Sequence, residues 1–143
     1  MIDLATLRGF FAASPFMRGL GVEATAVGEG RVAAELAIGE HLFQHTGQVH
    51  AGVMATMADH CMGSAAQTLA PAGHWALTAE LKTSQLRPAR GLRLVCEAWV
   101  VKPGRRLSFT EAEVWATQAE GARVLVMKAS ATMALVPQQD SPS

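Results

Sequence analysis

The sequence has no excess of charge of either sign: twelve Lys and Arg stand against twelve Asp and Glu in 143 residues, for a formal net charge of zero. Neutrality removes the attraction on which sequence-independent nucleic-acid binding rests, so no nucleic-acid partner is expected. Cysteine is scarce. Cys61 and Cys96 form no spaced motif, and two isolated thiols fit a reduced, cytoplasmic chain better than a disulfide scaffold. No apolar run approaches the roughly 20 uncharged residues of a membrane span, and no membrane partner is expected. The opening Met1-Ile2-Asp3-Leu4 lacks the basic start and apolar core of a signal peptide. The Gly-x-Ser-x-Gly of a serine-hydrolase elbow is missing. Two glycine pairs, Gly19/Gly21 and Gly28/Gly30, lack the strand-to-helix context of a dinucleotide site. His41, His45 and His50 have no carboxylate or cysteine partner at metal-ligand spacing, so no metal is expected.

What is present is a chain that is 50% hydrophobic and only 17% charged, which excludes disorder. The length fits one domain, expected over residues 1–136, with a polar, proline-containing tail from 137 to 143. Leu4, Leu7, Phe10 and Phe11 recur at helical spacing over Asp3 to Ala13, with Asp3 as N-cap and Pro15 suited to the helix end. Met17 to Ala26 reads as a strand. Val32, Ala34, Leu36 and Ile38 alternate with Ala33, Glu35 and Ala37, a half-buried strand. His41 to Gln48 reads as a loop. Val49 to Leu69 has good helix formers and is apolar nearly all round, the pattern of a buried helix stopped by Pro71 and Gly73. Four strands are expected at Trp75–Leu86, Leu92–Val101, Arg106–Thr117 and Ala122–Val136, with turns at Pro88/Gly91, Pro103-Gly104 and Glu120-Gly121. Their short links predict a consecutive antiparallel meander. One long helix against one curved sheet is an α+β architecture whose open edges favour dimerisation.

Asp59 sits in the middle of the long helix, between Met57-Ala58 and Cys61-Met62. An ionised carboxylate in apolar surroundings is costly unless paired, and such groups concentrate at functional sites. Otherwise Asp59 faces solvent or a subunit interface, or accepts bonds from a neighbouring loop. At the mouth of the same helix, Gly47-Gln48-Val49-His50-Ala51-Gly52 leaves the N–H groups of Ala51 and Gly52 where the helix dipole favours negative charge, as an oxyanion hole requires. Taken alone, that feature reads as a plain N-cap histidine with glycine for close packing. His50 and Asp59 are nine residues and about 13 Å apart along a helix axis, too far for one dyad. A two-fold dimer brings the acid of one chain beside the helix mouth of the other.

The run from Gln44 to Asp59 resembles the motif of hotdog-fold acyl-CoA thioesterases, in the branch around the phenylacetic-acid-pathway thioesterases. There an Asn or Gln precedes the His of a His-Gly-Gly helix mouth by six residues and an acid follows by nine. Gln44, His50 and Asp59 occupy those positions, and the segment from Thr78-Ala79-Glu80-Leu81 to Pro88-Ala89 resembles that family's third strand. The element order agrees over nearly the whole chain. The resemblance implies a hotdog fold and hydrolysis of an acyl-CoA thioester by a homodimer or dimer of dimers. It implies no resident cofactor, since coenzyme A belongs to the substrate. Asp59 is then general base or nucleophile, and Ala51 N–H polarises the carbonyl, with Gly52 behind it. His50 and Gln44 orient the thioester, and Thr78 helps hold the attacking water from the neighbouring chain. Two departures stand out: Ala51 replaces the first glycine of the mouth, and Gly63 occupies a position that carries a hydroxyl in some members.

Between Arg87 and Arg106 lie five arginines and Lys102 against Glu97 alone. Arg90, Arg105 and Arg106 fall on turns, where guanidinium groups suit the phosphates of coenzyme A, or else protect an exposed sheet edge. Cys61 reads as a small core residue, and Trp75, Trp99 and Trp115 as core or interface aromatics, one of which could line an acyl pocket. A hotdog hydratase or dehydratase and a non-catalytic acyl-CoA binding protein are the competing functions.

Overall fold

In the computed structural model, which describes residues 1–139, the chain opens with helix α1 (Leu4–Ala13). Asp3 caps it as expected, its Oδ1 accepting the Thr6 N–H at 2.8 Å, and that bond holds the Asp3 carboxyl below its ordinary range. Leu7 and Phe11 turn inward. Pro15 does not merely end this helix. It opens a second one, α2 (Pro15–Leu20), with Ser14 as N-cap to the Met17 N–H. Proline has the φ of a first helical position and lacks only a donor that would be orphaned there anyway. The strand expected from Met17 is therefore confined to β1 (Glu23–Gly28).

Strand β2 (Arg31–Ala37) buries Val32, Ala34 and Leu36 and turns Ala33, Glu35 and Ala37 outward, as the alternation predicts. A short 3₁₀ turn at Glu40–Leu42 interrupts the expected loop, and helix α3 (Ala51–Gln67) follows. Then come β3 (His74–Gln85), β4 (Arg93–Lys102), β5 (Leu107–Thr117) and β6 (Arg123–Pro137). The end of β6 differs from the expected tail: Pro137 pairs with His74, and the Gln138 N–H donates to Gly73 O. The rest of that tail, residues 140–143, lies outside the described residues.

All six strands join one antiparallel sheet in the order β1-β2-β4-β5-β6-β3. The expected four-strand meander is thus three strands, β4-β5-β6, and β3 crosses to the far side of β6. Residues 86–92 are longer than the two to five of a hairpin loop, and they carry the chain across the end of the sheet. That crossing is pinned by bonds from Leu86 N–H to Val126 O and from Leu92 N–H to Thr117 O.

The inner face of the sheet packs on α3. Leu94, Cys96, Val114, Met127 and Met133 meet Met54, Met57, Ala58, Cys61, Met62 and Ala65, all nearly inaccessible. Alanines at 34, 112, 116 and 129 let helix and sheet approach closely. The helix is not buried all round, however. Positions 53, 54, 57, 58, 61, 62, 65 and 66 are buried, whereas Gly52, Ala55, Thr56, Asp59, Gly63 and Ser64 form a stripe that remains partly open. The open stripe escapes notice in the sequence because, Asp59 apart, it is composed of small uncharged residues. Strand β3 is an edge whose side chains are mostly exposed. No helix among the described residues is long and apolar enough to cross a membrane.

Candidate active site

The mouth of α3 is held by backbone bonds from three directions. His50 N–H donates to Leu42 O at 2.8 Å, Val49 N–H to Ala89 O at 3.3 Å, and Phe43 bridges Val49 across a tight turn at Gln44–Gly47. Gly47 closes that turn at φ 79, a left-handed conformation that suits glycine. His50 is the N-cap, and its Nδ1 accepts the Gly52 N–H at 2.9 Å. That bond corrects the sequence reading: Gly52 N–H is taken by the cap, and Val53 N–H reaches back to His50 O. Among the described residues only the exposed Ala51 N–H of this first turn lacks an acceptor. With Nδ1 accepting that bond, Nε2 is the ring nitrogen left to donate. Gln44 is half-buried beside this mouth, while His41 and His45 are exposed.

Asp59 stands further along the open stripe. It is neither fully buried nor unpaired: Thr78 Oγ1 donates to its Oδ1 at 2.6 Å. Thr78 belongs to the same chain as the carboxylate it contacts, whereas the resemblance brought it from a neighbouring chain. A β-bulge explains its aim. Between Thr78 and Glu80 the register of β3 on β6 shifts by one residue, and such bulges redirect side chains. Gln67 fastens the same strand to the helix end, its Nε2 donating to His74 O and its Oε1 accepting from Ala76 N–H, each at 2.9 Å. No local sequence signal marks Gln67 for this role, because the bidentate bond depends on which strand lies beside it.

Asp59 and Thr78 open into a cleft of about 450 Å³ between α1, α3 and β3. Ile2, Leu7, Phe10, Trp75, Ala76 and Leu77 supply its apolar walls, and Gly63, Ser64 and Gln67 continue it along the helix. Phe10 meets Trp75 edge to face, with centroids 6.5 Å apart. The contribution of α1 was not legible in the sequence, where that helix has no polar signal. His60 also borders the cleft and packs edge-on to Phe11 at 4.4 Å. Burial lowers its pKa and the Asp59 charge acts in the opposite direction. Its Nε2 is buried without a hydrogen-bond partner among the described residues.

The basic residues do not gather into one patch within the protomer. Arg90 is exposed in the crossing segment one residue from Ala89, hence near the helix mouth. Arg105 and Arg106 lie in the β4–β5 turn at the other end of a ten-residue strand, roughly 30 Å away. Arg93 pairs with Glu35, Arg123 with Glu97 while stacking on Trp115, and Arg87 donates to Leu125 O. Of the tryptophans, Trp75 alone borders the cleft. Cys61 and Cys96 are free and buried. Hydrogen bonding to Cys61, with burial, pushes the Cys96 thiol well up, away from thiolate chemistry.

Residues 46–122, more than half of the chain, match the family model of the Thioesterase superfamily. Among solved structures, a thioesterase family protein from Silicibacter pomeroyi is 34% identical, with a TM-score of 0.88 over 92% of this chain and 96% of that one. A conserved protein from Pseudomonas aeruginosa is 28% identical, with a TM-score of 0.77 over 86% of this chain and 94% of that one. A thioesterase from Haemophilus influenzae, 20% identical, shares the fold with a TM-score of 0.84 over 100% and 96% of the two chains. No curated protein matches. The chain belongs to the thioesterase superfamily, and its six-stranded curved antiparallel sheet around one long helix is the hotdog fold.

Proposed function

We propose that this protein hydrolyses an acyl-CoA thioester to the free acid and coenzyme A, with Asp59 as the group that activates water. The observation that carries the reading is the Asp59–Thr78 pair at the edge of an apolar cleft. Thr78 occupies one carboxylate oxygen and leaves the other to accept a proton. In the proposed reaction a water gives its proton to Asp59 while its oxygen attacks the thioester carbon. The carbonyl oxygen becomes an oxyanion facing an Ala51 N–H at the positive end of a helix. The C–S bond then breaks, and the departing thiolate recovers the proton from Asp59.

Ala51 and Asp59 are eight residues apart, about 12 Å along the axis, so one protomer cannot apply both to one carbon. Both lie on the open stripe of α3, next to the exposed β3 edge. A second copy packed two-fold along that face joins the Asp59 of one chain to the helix mouth of the other. In this homodimer, or a dimer of dimers, His50 Nε2–H and Gln44 orient the thioester and Gly52 lets it approach. Arg90 is placed for the phosphates of coenzyme A near the mouth. Arg105 and Arg106 serve only if the second copy brings its own turn within reach. The spacing of Gln44, His50 and Asp59 is what supports the phenylacetic-acid-pathway branch. The reading needs no resident cofactor and assigns a cytoplasmic setting.

The test is a panel of acyl-CoAs followed with a thiol-reactive dye and by mass. Stoichiometric release of coenzyme A with the free acid is expected. A mass change of one water without thiol release would make the protein a hydratase or dehydratase. Binding with no turnover would make it a carrier, and either result removes the proposal.

A further inference from the structure

The cleft does not end at the carboxylate. One turn beyond Asp59, on the same open stripe, stands Gly63 in the interior of α3. A Cβ built there would find Met133 Cε at 4.0 Å and nothing nearer. Glycine inside a helix costs about 1 kcal/mol relative to alanine, and no close approach by the rest of the chain demands it here. What the missing side chain leaves is space. Across from it the cleft is bounded by Phe10 and Trp75, and one further turn along by Gln67. The amide of Gln67 already has both its bonds to β3. The Nε2 of His60 is buried and not exposed to the cleft. Ser14 and Ser64 add two hydroxyls to the lining, and Ile2, Leu7, Phe10, Ala13 and Trp75 give the cavity its apolar surface.

We infer that Gly63 determines acyl-chain length: the chain of the thioester runs from Asp59 along α3, over the bare backbone of Gly63 and beneath Phe10 and Trp75, toward Gln67. From Asp59 to Gln67 is two turns, about 12 Å. With a C–C bond of about 1.5 Å an extended chain advances roughly 1.25 Å per carbon, so the groove holds roughly eight to ten carbons. The ligand class is an unsubstituted, medium-length, straight acyl group. The inference rests on the proposed hydrolysis only for where the thioester lies.

The experiment compares wild type with Gly63→Ala and Gly63→Leu on saturated acyl-CoAs from C2 to C12, reading kcat/KM by thiol release and affinity by calorimetry. Each methylene that enters the groove is worth about fourfold in affinity. Wild type should gain affinity stepwise to about C8. Gly63→Leu should stop gaining near C4, with its C8-to-C2 ratio of kcat/KM lowered by about 250-fold (four methylenes at about fourfold each), and Gly63→Ala should lie between. An unchanged chain-length profile would overturn the inference, as would a loss uniform across all lengths, which would mean that Gly63 serves the approach of a second copy. Should wild type release no coenzyme A from any member, the hydrolytic reading falls by itself. The calorimetric series still decides on Gly63.

Discussion

Replacing Ala51 by proline would delete the proposed oxyanion donor while sparing the helix that carries it. Proline usually disrupts a helix by removing a hydrogen bond and clashing with the preceding turn, at about 3 kcal/mol in an interior position. Neither cost applies here. Ala51 is the first helical residue, its N–H has no acceptor among the described residues, and its side chain is exposed. His50 before it has φ −61 and ψ 135, within the extended region that a residue preceding proline prefers. The variant should therefore keep its helicity and melt within about 1 kcal/mol of wild type. Loss of a single oxyanion donor typically lowers kcat by about 10²–10³, or 2.7–4 kcal/mol of transition-state stabilisation. Steady-state thiol release gives kcat, and circular dichroism with thermal melting checks the fold. Ala51→Gly, which retains the donor, should stay much closer to wild type. An Ala51→Pro enzyme with kcat within threefold of wild type would refute the assignment of this N–H.

Two further outcomes follow from the same geometry. Thr78→Val keeps the shape of the side chain and removes the hydroxyl bonded to Asp59, so kcat should fall about ten- to hundredfold, the equivalent of one hydrogen bond to a charged group. Thr78→Ser should restore most of it, and equal damage in both variants would point to packing instead. His60 has a folded pKa below its ordinary 6.5 because it is partly buried, with Asp59 offsetting part of the effect. The unfolded chain therefore takes up this proton first. The stability contributed by His60 is complete above pH 6.5 and is lost as pH falls below it toward the folded value. Urea midpoints measured from pH 7.5 to 5 should decline through that window in wild type and less in His60→Gln; identical slopes would contradict this.

The parts of this molecule that were legible in the sequence are those fixed by neighbours along the chain. The Asp3 cap, the alternation of β2 and the existence of α3 each rest on spacing over a few residues. Helix α2 was missed because Pro15 was weighed as a stop, although Ser14 before it makes the same proline a start. Strand β3 was misplaced because its pairing with β6 joins residues some fifty positions apart, beyond the reach of local turn signals. The candidate site shows the same division. The spacing of Gln44, His50 and Asp59 identifies candidates, but the capture of Gly52 N–H by His50 depends on a rotamer. The Asp59–Thr78 bond depends on a bulge, and the walls supplied by Phe10 and Trp75 on the docking of α1. The arginine run is divided within the protomer for a simple reason. Residues close together in sequence are carried to opposite ends of a sheet by a single long strand.

The most direct test of the account is the hydrolysis rate of Asp59→Asn, which has nearly the shape of wild type and still accepts a bond from Thr78 but cannot take a proton from water. With folding confirmed by its melting curve, and binding confirmed by acyl-CoA titration, turnover should drop by about 10²–10⁴, the usual contribution of a general base. Turnover close to wild type in that folded, substrate-binding variant would contradict the central claim.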